Sequence, residues 1–165
     1  MVLGLLACVG HHAPVQSTGE AIDVVPVLES VEDKAVGDGP ERLDAALLAA
    51  LKGHNLAPSL VAPDRYVTTF AKSRDTARRV ETLAPSGNLL LVESEVAYYS
   101  LLSGRYRWTV DVTLTLVPAG LTDHFEVPVF LEFQHEREAE ALAAATPVIT
   151  RHVDDLIDDW LSGTR

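Results

Sequence analysis

One cysteine, Cys8, stands in a chain of 165 residues. No internal disulfide is possible, so covalent staples play no part in the fold, and an oxidising compartment is permitted without being required. Positive charge is also scarce: 13 Lys and Arg stand against 24 Asp and Glu, a formal net charge of -11. Phosphate binding needs clustered cations to release counterions, and nucleic acid is therefore not an expected partner. Long apolar runs are missing too. After Cys8 no stretch approaches the roughly 20 apolar residues that span a bilayer as a helix, which leaves a lipid anchor as the route to a membrane. Catalytic motifs are equally absent. Ser94 and Ser103 lie outside any nucleophile elbow, and no Gly-rich phosphate loop is present. His54, His124, His135 and His152 lack the spacing of metal ligands and read as surface or boundary histidines. The expectation is no catalytic residue, no metal and no cofactor.

The cysteine itself closes the run Leu5-Leu6-Ala7-Cys8, which has the form of a bacterial lipobox. Two apolar residues and a small one thread a narrow protease site beside a thiol ready to form a thioether. Residues 1–7 carry no Lys or Arg and fall short of an export signal's charged start and apolar stretch of roughly 7 to 15 residues. They are read as the remnant of a lipoprotein signal peptide, with Cys8 as the lipidation site. His11 and His12 add two imidazoles near the thiol, but a metal site draws three or four ligands onto a rigid frame, and lipidation consumes the sulfur. Residues 8–19 are thus the lipidated cysteine and an exposed tether, and residues 20–165 a single domain long enough to bury its own core. Val9 occupies the position where Asp favours inner-membrane retention in enteric bacteria. The expected location is the outer membrane, lipid-anchored and facing the periplasm.

Within the domain, residues 21–28 are rich in Val and Ile and read as a strand, with Pro26 marking an edge or a bend. Residues 41–52 place Leu43, Leu47, Ala50 and Leu51 on one helical stripe, punctuated by Pro40 before and Gly53 after. A short strand is expected over residues 60–66 and a helix over 73–84 with Ser73 as its cap. The clearest signal is a hairpin of residues 88–101 and 105–117, joined by Leu102-Ser103-Gly104. Pairing Ser100 with Tyr106 sets Tyr98 opposite Trp108, Val96 opposite Val110, Val92 opposite Leu114 and Leu90 opposite Leu116, a single apolar face. The other face pairs Tyr99 with Arg107, Ala97 with Thr109, Glu95 with Asp111 and Glu93 with Thr113, and is mostly polar. A slip of one residue would mix the two sets. Phe125, Val127, Val129, Leu131 and Phe133 alternate in a third strand of the meander, with Pro128 pointing to an edge.

A closing helical region from about residue 136, interrupted or restarted at Pro147, carries Ile149, Val153, Leu156, Ile157, Trp160 and Leu161 on one stripe. Arg151, Asp154, Asp155, Asp158 and Asp159 fall on its solvent side. The expected fold class is α+β, a mixed, largely antiparallel sheet with a long hairpin and helices packed mainly on one face.

The order of these elements, and the stretch "LAPSGNLLLVESEVAYYSLLSGRYRWTVDVTLTLV" in particular, resembles the amino-terminal domain of TolB and related CsgG-like and LptE-like envelope lipoproteins. The likeness is one of pattern over residues 21–161 and carries no diagnostic motif. It implies an accessory or adaptor role in outer-membrane assembly, transport or regulation through protein contact. The chain has no TolB propeller and no pore-forming insertion, so neither of those activities is implied.

For such a role the hairpin supplies the candidate partner-binding residues. Tyr99, Arg105 and Arg107 cluster at its tip with the composition of an interface hot spot, and Glu95 and Asp111 form a like-charge pair that is either hydrated or neutralised by a partner or by the tip arginines. The leading expectation is a non-enzymatic, lipid-anchored adaptor with an envelope protein as partner. A lipid or glycolipid-binding module using the open sheet face is the alternative, followed by an envelope enzyme with Glu95, Asp111 and a histidine in a deep cleft.

Overall fold

The structure, a computed structural model, describes residues 19–30, 35–36, 41–62, 87–102, 104–132 and 138–163. Cys8 and its tether, the expected helix over residues 73–84, Phe133 and His135 lie outside the described residues.

Strand-forming Val and Ile residues build β1 (Ala21–Ser30), followed by the two-residue β2 (Ala35–Val36), which the sequence pattern did not announce. Helix α1 (Glu41–Gly53) buries the expected stripe of Leu43, Leu47 and Leu51, while Ala50 is half-buried. It closes in a Schellman motif. The Leu56 amide donates to the Leu51 carbonyl at 3.2 Å and the Asn55 amide to Lys52 at 3.1 Å, and Asn55 takes the left-handed conformation at φ 59°. Gly53, expected to stop the helix, is its last residue instead, because Asn tolerates the left-handed position two residues later.

Strand β3 is Ala57–Leu60 and ends where the expected strand at residues 60–66 begins; residues 63–66 lie outside the described residues. Gly19 packs beside this turn, where a Cβ would come within 1.8 Å of the Asn55 carbonyl oxygen.

Strands β4 (Asn88–Leu102), β5 (Arg105–Val117) and β6 (Leu121–Leu131) form the expected meander. The sheet order is β2-β1-β4-β5-β6, with β3 also paired to β1; β1 runs parallel to both β3 and β4, and the remaining pairs are antiparallel. The architecture is α+β.

β1 therefore lies inside the sheet although it contains Pro26. The carbonyls of Glu20 and Val24 both accept amides from the β3 side. Backbone groups alternate with period two, so the Pro26 nitrogen faces that side as well and removes no bond from the β1–β4 ladder. Its register position falls between the last β3 pair at Val24 and the first β2 pair at Leu28.

Helix α2 (Glu138–Ser162) runs without a break through Pro147. Proline removes one helical donor and crowds the preceding turn. The neighbouring threonines engage backbone carbonyls there: Thr146 Oγ1 donates to the Leu142 carbonyl at 3.0 Å, and Thr150 Oγ1 to that of Thr146 at 3.1 Å. Ile149, Val153, Leu156 and Ile157 are buried as expected, but Trp160 is half-buried and Leu161 exposed, so the stripe leaves the core over its last turn.

Helices α1 and α2 pack on one face. Ile22, Val24 and Leu28 of β1, Leu90, Val92 and Val96 of β4, alternate residues of β5, and Val127 and Val129 of β6 join the buried residues of α1 and α2 in a single core. On the opposite face Val25, Val27, Leu89, Leu91 and Val117 form a smaller buried cluster.

Candidate functional site

The hairpin follows the expected register from Leu90↔Leu116 to Tyr98↔Trp108. Beyond that point it departs. Ser100 pairs with Arg107, Leu101 with Tyr106 and Leu102 with Arg105, so Tyr99 is the extra residue of a β-bulge. The expected pairs Tyr99–Arg107 and Ser100–Tyr106 are therefore corrected, and the connection is two residues long, ending in Gly104 at φ 78°. Alternating hydrophobicity could not reveal this, because the slip lies among residues that are aromatic or polar on both faces.

The bulge separates two aromatic groups at the distal end of the sheet. On the helix side Tyr98 meets Trp108 edge-on at 5.5 Å between centroids and Tyr106 at 6.3 Å. On the other face Arg107 lies over the Tyr99 ring with Cζ 4.7 Å from the centroid, a cation–π contact, and pairs in register with Phe130 of β6. Tyr98, Tyr99 and Phe130 are 52%, 68% and 46% exposed and make up three of the five exposed large hydrophobics among the described residues. Arg105 is exposed at the turn. Tyr98 and Phe130 were not among the expected site residues; Phe130 becomes visible as a neighbour of Arg107 only once the β5–β6 register is known.

Glu95 and Asp111 do pair across β4 and β5 as expected. The register continues the row to Glu126 on one side and to Glu29 on the other. The tip arginines do not neutralise it: Arg107 stands four residues from Asp111, about 13 Å along the strand. Asp111 Oδ1 instead accepts a hydrogen bond from His124 Nε2 at 2.9 Å on open surface. The candidate residues thus fall into two groups, the tip (Tyr99, Arg105, Arg107) and the acidic row (Glu95, Asp111).

Two further histidines pair with aspartates as structural clasps. His152 Nδ1 donates to Asp123 Oδ2 at 2.8 Å and its ring stacks on Phe125 at 3.7 Å, tying α2 to β6. His54, at the end of α1, directs Nε2 to Asp154 at 3.1 Å and Nδ1 to Asp158 at 3.3 Å on α2. The aspartates at positions 154 and 158 are thus part of a helix–helix contact as well as a solvated face, a pairing across the fold that sequence spacing does not show.

At the other end of the molecule a shallow cleft of about 170 Å³ is lined by Ala119, Leu121, Asp159, Trp160 and Gly163. Among the described residues no group of three or more His, Cys, Asp or Glu side chains is placed to hold a metal ion, and no helix is long and apolar enough to cross a membrane.

No protein-family model matches the chain, and no curated protein matches it. Solved structures similar to it include the PelC dodecamer from Paraburkholderia phytofirmans (14% identity, 84% of this chain and 88% of that one, TM-score 0.42). Others are lipoprotein GNA1162 from Neisseria meningitidis (13%, 82% and 99%, 0.40) and a minor lipoprotein from Acinetobacter baumannii (11%, 82% and 91%, 0.38). Two of the three are named as bacterial lipoproteins, and none of the three is named as a TolB, CsgG or LptE protein. At these identities and scores no role or site residue passes from them to this chain.

Proposed function

We propose that this chain is a non-enzymatic, lipid-anchored envelope protein, held at the outer membrane through Cys8, that docks a partner protein with the distal end of its β4–β5 hairpin. The observation that carries this reading is the presence of exposed Tyr98, Tyr99 and Phe130 at one end of the sheet, with Arg107 over the Tyr99 ring and in register with Phe130. Tyrosine and arginine supply most binding energy at protein interfaces, and a monomer has no folding reason to collect exposed aromatics at one end. Strand β4 spans 15 residues, so this end lies roughly 45 Å from the start of the strand, beside which β1 enters the domain. A protein tethered through its N-terminal segment would then hold the hairpin tip away from the membrane.

The other readings have less support. Among the described residues, the cleft beside Trp160 is smaller than the roughly 300–1,000 Å³ that a lipid carrier needs. The apolar cluster on the sheet face away from α1 and α2 is itself buried. An enzyme built on Asp111 and a histidine would need an enclosed site, whereas Asp111 and His124 meet on exposed surface.

The test is affinity capture from bacterial membranes in mild detergent, comparing the full chain with Tyr99→Ala and Arg107→Ala. A reproducible partner, lost in both variants while folding is unchanged, is expected. A partner retained by both would remove the hairpin tip from the reading. The anchor is checked by intact mass: an acylated chain beginning at Cys8, lost in Cys8→Ser, is expected, and an unmodified chain retaining Met1 would overturn it.

A further inference from the structure

Near the start of β4 the sheet is buried on both faces. Val24, Leu90 and Val92 belong to the core that α1 and α2 cover. The residues that alternate with them, Val25, Val27, Leu89 and Leu91, lie on the other face, yet together with Val117 they are no more than 4% exposed. Thr115, in register with Leu91, is 0% exposed on that same face. Strands buried on both faces lie beneath a layer on each side. Val61, just past the end of β3, packs against this second cluster, so the chain is already on that face as it leaves the strand.

The topology says which part of the chain continues there. Strands β3, β1 and β4 are parallel and neighbours in that order. The chain passes from β1 to β3 in one direction across the sheet, forming α1 on the way, and from β3 back past β1 to β4 in the other. Connections between parallel strands are right-handed in about 98% of cases. Two connections of one hand that run in opposite directions across a sheet lie on opposite faces of it. Helix α1 occupies the core face, which assigns the β3-to-β4 connection to the other.

Composition agrees with this assignment. Residues 63–86 contain Val67, Phe70, Val80 and Leu83, and they set five cations (Arg65, Lys72, Arg74, Arg78 and Arg79) against Asp64, Asp75 and Glu81, a positive stretch in a chain of net charge -11. The face they meet carries carboxylates: Asp23 and Glu93 alternate with the buried cluster, and Glu95 and Asp111 follow along the strands.

We propose that residues 63–86 cross the sheet on the face away from α1 and α2 and cover it from within the chain. Their apolar side chains bury Val25, Val27, Leu89, Leu91 and Val117, and their cations face the acidic residues of β1 and β4. The apolar cluster is then an internal contact, closed to a lipid or to a partner protein. What this face offers a partner is its distal part, where Asp111, His124 and Phe130 are exposed.

The experiment is photo-crosslinking within the full chain, with a diazirine side chain placed at residue 80 and, in a second variant, at residue 83. The joined sites are mapped by mass spectrometry on chains that remain monomeric. Adducts on β1 and β4 are expected, because strands are what the segment meets on this face. On the core face it would meet α1 and α2, and adducts there would overturn the proposal. Adducts confined to linked pairs of chains, or none on the strands, would overturn it as well. Thermal unfolding supplies a second readout. Val80→Ser with Leu83→Ser should lower the midpoint by about 5 °C or more, since buried apolar contact is lost; an unchanged midpoint, as substitutions on open surface give, would sink the idea.

Discussion

Thr115 is fully buried in β5, yet its hydroxyl has no acceptor among the described residues. Valine has nearly the same shape without the desolvation penalty of an unpaired hydroxyl. Thr115→Val should therefore raise stability by about 1 kcal/mol, read as a higher urea midpoint at unchanged slope; a lower midpoint would mean that the hydroxyl has an acceptor after all. His54 should behave in the opposite way. Replacing it by Ala removes both contacts to α2, and because Asp154 and Asp158 are 46% and 71% exposed, solvent screening limits the loss to about 1 kcal/mol. At neither position was this legible in the chain. Thr115 reads as an ordinary strand residue, and His54 lies 100 positions from Asp154. Tyr99 and Arg107 were legible as a pair at the tip, but not as a bulged residue and the cation lying over its ring.

The two helices separate what periodicity shows from what it hides. In α1 the spacing of Leu43, Leu47 and Leu51 predicts the buried face directly, and Leu47, fully buried, should cost about 2–5 kcal/mol as Ala through the cavity it leaves. Circular dichroism during thermal unfolding would show this as a lowered midpoint. In α2 the proline signal pointed to an interruption that the helix does not have, because the buried residues on both sides of Pro147 share one core and hold the helical path. Pro147 itself is exposed. Pro147→Ala should restore a helical hydrogen bond and stabilise the chain by about 1–3 kcal/mol; a destabilised variant would show that the core requires the bend. The strands follow the same division, since β6 alternates cleanly between half-buried or buried and exposed positions, whereas β2 and β3 have two and four residues, too few for a period to register.

On the scale of the whole molecule, the sheet's order sets β1, ten residues long, beside β4, a strand of fifteen. Gly19 marks where the domain closes on its N-terminal side: with a Cβ set to fall 1.8 Å from the Asn55 carbonyl oxygen, Gly19→Ala should force the chain away from the α1–β3 turn and lower the thermal midpoint, without altering partner capture at the distant tip. Residue order alone was enough for the fold class, for the hairpin up to Tyr98↔Trp108, for the α1 stripe and for a polar sheet face with Glu95 beside Asp111, because each rests on a period of 2 or 3.6 among near neighbours. The parallel pairing of β1 with β4, the histidine–aspartate clasps and the bulge were decided by tertiary structure alone. They depend on which surfaces meet after chain segments far apart in sequence have packed, and no local period records that distance.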